Sequence, residues 1–202
     1  MMRTSYHHGD LRAALVQAAR EALESGGPEA VSLRDLAKTL GVSTAAPYRH
    51  FKDRRALLSE VAAQGFARLC QDYARVAAEI PDPLTGQREM ARVYLGLAFR
   101  QPGLFRLMFD SDLLGPGAPR NLLEAAGASW QALYASVRRI DPDAGETVLK
   151  RRTITGWSTL HGFIILLQGG RLKGFMTDPL TEAELVEEIG RASCRERVYL
   201  AV

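Results

Sequence analysis

Residues 43–55 set four cationic side chains, Arg49, Lys52, Arg54 and Arg55, against one acid, Asp53. Guanidinium and ammonium groups crowded in this way suit the neutralisation of phosphate, a short-range chemistry because salt screens charges beyond about 8 Å. Ahead of them stand four small side chains in succession, Ser43, Thr44, Ala45 and Ala46. Such a run lets the end of a helix enter a groove about 12 Å wide without bulk holding it off the bases. A helix N-terminus adds N–H groups and partial positive charge that attract phosphate. Charge alone is more often the mark of an ordinary solvated face, and the net charge of the chain is only +3. Its distribution says more, since three of the four histidines (His7, His8 and His50) fall in the same first quarter.

A second candidate lies far along the chain. Trp157 and His161 are four residues apart, so on a helix they share one face, which Ile164, Ile165 and Gln168 continue. An indole and an imidazole there could touch a small molecule, or be satisfied within a core. Gly162 in the same helix costs about 1 kcal/mol relative to Ala, which predicts close approach by another helix or a ligand. No second histidine stands at ligand spacing, so no metal site is expected. Cys70 and Cys194 are too few for a disulfide framework or a zinc site. No nucleophile with its base, carboxylate pair or phosphate loop is legible, so the chain is not expected to be an enzyme and no cofactor is assigned.

The elements that must position these groups read as helices throughout, giving an all-α fold. Leu11, Leu15, Ala18, Ala19 and Ala22 mark one face of a helix over residues 10–23, which Ser25-Gly26-Gly27-Pro28 stops. Ser32 is placed to cap a short helix over residues 33–40, with Leu33, Leu36, Ala37 and Leu40 as its buried stripe. Gly41 can take the left-handed conformation that ends it, Val42 plugs the gap, and Ser43 caps a second short helix to about residue 50. Asp53 caps a long helix over residues 54–79, closed by Pro81-Asp82-Pro83. Further helices are expected over residues 85–100, 103–109, 120–140 and 145–168, and a capping-box spacing at Thr181 and Glu184 opens a last one. No run of about 18 apolar residues could span a membrane, no signal peptide is recognisable, and a cytoplasmic protein is expected.

Short helix, glycine turn, short helix is by itself only a helical hairpin. The segment Gly41-Val42-Ser43-Thr44-Ala45-Ala46-Pro47-Tyr48-Arg49-His50-Phe51-Lys52-Asp53-Arg54-Arg55-Ala56-Leu57-Leu58 goes further. It closely resembles the TetR family of transcriptional regulators, across the recognition helix and the start of the next helix. The resemblance implies a helix-turn-helix DNA-binding domain over residues 1–60. It implies that Ser43 is among the DNA-binding residues, that Thr44, Ala45 and Pro47 face base edges, and that Tyr48, His50, Lys52, Ser32 and Arg34 hold backbone phosphate. Phosphate contacts set register while base contacts specify. Phe51 is expected in the core. The pattern Tyr6-His7-His8-Gly9-Asp10-Leu11-Arg12 resembles a subset of the same family and would bring His7 and His8 near DNA.

For residues 61–187 the resemblance implies a helical effector-binding and dimerisation domain. The residues agree in their load of aromatic and Met side chains, of which Tyr94, Phe105, Met108, Phe109, Trp130, Trp157 and His161 are the pocket candidates, a core being the plainer use for most of them. Trp157-Ser158-Thr159-Leu160-His161-Gly162, with Pro102-Gly103-Leu104-Phe105-Arg106-Leu107-Met108-Phe109, resembles a Trp-His-Gly type of C-terminal domain in that family. The protein is therefore expected to be a homodimer joined through residues 145–168 and 181 onward. It would act as a repressor released from a near-palindromic double-stranded DNA operator by a small apolar effector. A helical-bundle enzyme with His161 as its base, or a DNA-binding protein without a ligand, are the alternatives. Gly190-Arg191-Ala192-Ser193-Cys194-Arg195-Glu196-Arg197-Val198 looks like the translation of a sequencing adapter, so residues 188–202 are expected to be non-native.

Overall fold

A computed structural model describes residues 11–109 and 111–192. Those residues form helices and connecting turns, with no strand among them. In order they are α1 (Leu11–Gly26), α2 (Leu33–Thr39), α3 (Arg54–Glu79), α4 (Pro83–Arg100), α5 (Pro102–Phe109), α6 (Arg120–Ile140), α7 (Glu146–Gln168), α8 (Gly174–Thr177) and α9 (Glu182–Ala192). Short 3-10 turns lie at Pro28–Ala30, Pro47–Arg49 and Asp112–Leu114.

The chain divides into two compact units. Their described parts are residues 11–68 with 100–109 and 111–127, and residues 69–99 with 128–192. The division falls inside α3 rather than near residue 60, and it returns α5 to the first unit. The reason is in the contacts of α5. Leu104, Phe105, Leu107 and Met108 are buried, and α5 packs against α1. The Glu24 carboxylate accepts hydrogen bonds from the Gly103 and Leu104 N–H groups at 3.0 Å each. Glu24 thus satisfies two N–H groups that a helix start leaves unpaired. Gly103 is required here: a Cβ would collide with the main-chain oxygen of Leu23.

Around this clamp the first unit closes one core. Leu15, Ala19 and Leu23 of α1 meet Leu36 and Ala37 of α2, Phe51, and Leu57 and Val61 of α3, all nearly inaccessible. Phe66 meets Phe109 edge-on with ring centroids 5.3 Å apart.

In the second unit Met90, Ala91, Tyr94, Leu95 and Ala98 form the buried stripe of α4, and Leu149, Thr153, Leu160 and Ile164 that of α7. Arg139 of α6 reaches the end of α3 and donates to the carbonyls of Ala77, Ile80 and Pro81, placing positive charge where a helix end is partially negative. Thr181 and Glu184 cap α9 reciprocally: the Thr181 N–H donates to the Glu184 carboxylate at 2.8 Å, and the Glu184 N–H to the Thr181 hydroxyl at 3.2 Å. α9 runs through residue 188 to Ala192. Residues 193–202, Cys194 included, lie outside the described residues, as do His7 and His8.

Candidate nucleic-acid interface

The turn between the two short elements forms as the residues dictate. Ser32 is extended (φ −131°, ψ 125°) and its hydroxyl accepts from the Asp35 N–H at 3.4 Å. Gly41 takes φ +66°, open to glycine without strain. The second element departs from the expected helix over residues 43–50. It is a turn closed by Ala46 N–H on Ser43 oxygen, followed by a 3-10 turn at Pro47–Arg49. Pro47 is the cause, because it has no N–H to offer the Ser43 carbonyl and it disfavours helical geometry in the residue before it.

Most of the expected DNA contacts are accessible. Ser43, Thr44, Ala45, Arg34 and Lys52 are exposed, Tyr48 is 48% exposed, and Ser32 and His50 are half-buried. Ser32, Arg34 and Tyr48 are brought together, lining one open depression of about 590 Å³ with Glu29, Val31, Leu33, Asp53 and Arg54. Pro47 differs: it is buried, so it shapes the turn instead of meeting solvent. Phe51 is buried beneath the Arg12 guanidinium, which stands 5.2 Å from its ring centre. Lys38 holds the Asp35 carboxyl below its usual range by a hydrogen bond, with Ser32 adding to it.

The basic cluster splits by role, which spacing alone did not reveal. Arg54, although exposed, is committed to the main chain, donating to the carbonyls of Val31 and Pro28. Arg55 donates to the Asp112 carboxylate and to its main-chain oxygen, each at 2.9 Å. These two arginines fasten the unit through hydrogen bonds, and Arg49 and Lys52 are exposed beside them.

This turn has the organisation of a helix-turn-helix, and the comparisons with known proteins agree. Residues 15–61 match the model for bacterial regulatory proteins of the tetR family. Residues 87–189 match that of the tetracyclin repressor-like C-terminal domain. The chain belongs to the TetR family. A structure from a Rhodococcus species, of a protein with unknown function, is 32% identical with a TM-score of 0.79, covering 98% of each chain. A TetR family transcriptional regulator from Thermus thermophilus, at 20% identity and a TM-score of 0.64, covers 93% of this chain and 98% of its own and speaks to the fold. A nucleoid occlusion factor, SlmA, from Marinobacter nauticus is 27% identical over 82% of this chain and 83% of its own. This TetR protein is thus a DNA-binding regulator with a helix-turn-helix. The Trp-His-Gly subtype remains an expectation from the residues alone.

The expected pocket residues separate between the units. Phe105 and Met108 are buried and Phe109 half-buried in the first, where they pack in its core. Tyr94, Trp157 and His161 converge in the second. The Trp157 indole N–H donates to the Tyr94 hydroxyl at 2.9 Å, and that hydroxyl lies 2.9 Å from His161 Nδ1. The direction of the hydrogen bond between the Tyr94 hydroxyl and Nδ1 follows from the tautomer of the His161 ring. Trp130 is half-buried on α6. Tyr94 and Trp157 also line a small cavity with Tyr73, Gln87, Met90, Arg152, Thr153 and others. Tyr73 and Gln87 escaped the sequence reading, although Gln87 interrupts an apolar row that Met90, Ala91 and Tyr94 continue.

Among the described residues Gly162 meets no close neighbour within the chain. It is exposed, and no atom lies within 4 Å of where its Cβ would stand. It falls on the outer row of α7 with Ile154, Ser158 and Leu166, not on the packed face; Ile154 is 50% and Leu166 42% exposed.

Proposed function

We propose that the protein is a homodimeric repressor that binds a near-palindromic operator and leaves it when a small molecule occupies the second unit. What carries the DNA half is the clustering of Ser32, Arg34 and Tyr48 around one open depression next to the exposed run Ser43, Thr44 and Ala45. Ser32, Arg34, Tyr48, His50 and Lys52 hold phosphate, and Thr44 and Ala45 meet base edges and thymine methyl groups. The Ser32 hydroxyl can serve twice, its lone pair capping α2 and its proton turned to phosphate. With so few polar groups at the reading positions, discrimination rests on methyl contacts and on DNA shape.

Dimerisation falls to α7 and α9. The uncovered row of Ile154, Ser158, Gly162 and Leu166 is apolar and small, the composition that lets a second helix pack closely. Two copies place their reading turns in successive major grooves, roughly 34–36 Å apart. An effector acts by favouring one of two packings of the second unit. The cluster of Tyr94, Trp157 and His161 marks where it binds.

Tyr48→Phe tests the phosphate assignment. It keeps the ring and is expected to weaken binding by a similar factor on every operator variant, read by fluorescence anisotropy. Loss confined to one variant would refute it.

A second reading follows from the nucleoid occlusion factors, of which one from Vibrio cholerae is 34% identical over 51% of this chain and 56% of its own. In that reading the same DNA surface serves many chromosomal sites rather than one promoter. Chromatin precipitation separates the two: one or a few sites upstream of genes support the repressor, and dispersed sites support the alternative.

A further inference from the structure

A cleft of about 490 Å³ lies in the first unit, between the Pro28–Ala30 turn, the start of α3, the end of α5 and the Asp112–Leu114 turn. That volume is common for small-molecule sites. Leu58, Leu107 and Leu113, all buried, give it apolar lining. Three guanidinium groups, of Arg54, Arg55 and Arg106, and two carboxylates, of Glu29 and Asp112, stand around it. These charges are met unequally. Arg55 and Asp112 neutralise one another at 2.9 Å. Arg54 gives its N–H groups to main-chain carbonyls, and no described carboxylate pairs with it. Among the described residues the Arg106 guanidinium makes no hydrogen bond or ion pair. It rests on the turn after α1, where Gly27 (φ +73°) leaves it room. A Cβ on Gly27 would stand 3.2 Å from Arg106 Nη2 and 3.7 Å from Glu29 Oε2. Glu29 thus opposes the two remaining cations without cancelling them. Guanidinium donors form a fork that matches the oxygens of phosphate or carboxylate.

The position of the cleft gives such an anion a consequence. Arg54 and Glu29 line both this cleft and the depression shared by Ser32, Arg34 and Tyr48. Two hollows with a common side chain between them are separated by about its length, comparable to the screening length of roughly 8 Å.

We propose that this cleft binds a small oxyanion, a phosphate monoester or a carboxylate, between Arg106 and Arg54, and that its charge repels DNA phosphate across the shared wall. Occupancy lowers operator affinity, and DNA lowers affinity for the anion by the same factor. The coupling rests on the phosphate assignment made above, whereas the anion site stands without it. The site lies in the other unit from the Tyr94 cluster and acts independently of a guest there. A phosphate monoester carries nearly two charges at neutral pH and a carboxylate one, so the monoester is expected to bind more tightly.

Phenyl phosphate, phenylacetate and 2-phenylethanol, titrated calorimetrically into the full chain, separate the two anions from a neutral analogue. Either anion is expected to bind at least tenfold more tightly than the alcohol, and the tighter of the two names the class. Arg106→Gln should weaken phenyl phosphate about fivefold or more. Without anion it should keep the melting temperature and hold operator affinity within twofold, since Arg106 is exposed and lines no part of the DNA-facing depression. Glu29→Gln, which removes the opposing charge, should tighten phenyl phosphate. Arg34→Gln should weaken DNA binding and leave phenyl phosphate within twofold. Saturating phenyl phosphate should weaken operator binding severalfold in the parent and leave Arg106→Gln unaffected. Anions bound no more tightly than the alcohol, or equally by Arg106→Gln and the parent, would overturn the site. Equal losses of anion affinity in Arg34→Gln and Arg106→Gln would also overturn it, placing the anion in the DNA-facing depression. Operator affinity unchanged at saturation would overturn the coupling. A chain that binds phenyl phosphate in this pattern but no DNA would uphold the cleft and sink the phosphate assignment instead.

Discussion

The two units put the groups proposed to do their work in opposite places. In the first, Ser43, Thr44, Tyr48 and Lys52 stand in solvent on a turn held by an apolar core. In the second, Tyr73, Gln87 and Tyr94 are buried among helices, their polar atoms turned on each other or into a small cavity. A surface that reads a large, charged polymer needs rigid backing and exposed groups. A site for a small molecule needs enclosure among helices. The same helical vocabulary serves both, and what differs is which side of each helix carries the polar residue.

The largest test of this contrast is Phe105→Ala. Phe105 is fully buried in the first unit, and its truncation should cost about 3–5 kcal/mol. Trp130 and Trp157 both lie in the second unit. DNA binding should therefore fail at a temperature where tryptophan emission still reports a folded second unit; coincident loss would erase the distinction. Trp157→Phe is the converse and smaller change. It removes the donor to Tyr94 and should lower stability by about 1 kcal/mol while leaving operator affinity within twofold. A large loss of DNA binding in that variant, without ligand, would show that the polar cluster belongs to the reader.

The smallest expected effect sharpens the first unit alone. Arg12 holds the Glu60 carboxyl below its usual range, chiefly by their hydrogen bond at 2.8 Å. A carboxylate depressed in the folded state contributes stability above its unfolded value, about 4.3, and loses it as pH falls through the lower folded value. Arg12→Gln should flatten acid unfolding in that window, with a loss at neutral pH below about 1 kcal/mol because Arg12 is half exposed. An unchanged acid limb would deny Glu60 that role.

The legibility of the two regions follows the same division. The caps at Ser32, Asp53 and Thr181, and the left-handed glycine at position 41, were readable because they depend on neighbours within four residues. α6 was expected over residues 120–140 and spans Arg120–Ile140. The reading turn was legible as a motif, yet its shape was not: one proline changed a helix into 3-10 turns. The Arg54 bonds to Val31 and Pro28, the Glu24 clamp and the transfer of α5 to the first unit depend on partners distant in sequence, for which periodicity carries no signal. Tyr73 and Gln87 were missed for a related reason, since a polar residue on an apolar stripe acquires its meaning only when three helices converge on it. Gly162 shows a further limit: nothing within the chain crowds it, and the face of α7 packed inside the unit lies on its other side.

Whether the exposed turn reads DNA is tested most sharply by the salt dependence of binding to the sequence upstream of the gene, measured for the full chain and for Lys52→Gln. Binding should be sequence-selective, and its logarithm should fall linearly with the logarithm of salt concentration. Lys52→Gln should lower that slope by about one and weaken all sequences alike. Binding that is absent, indifferent to salt or indifferent to sequence would contradict a DNA-reading turn.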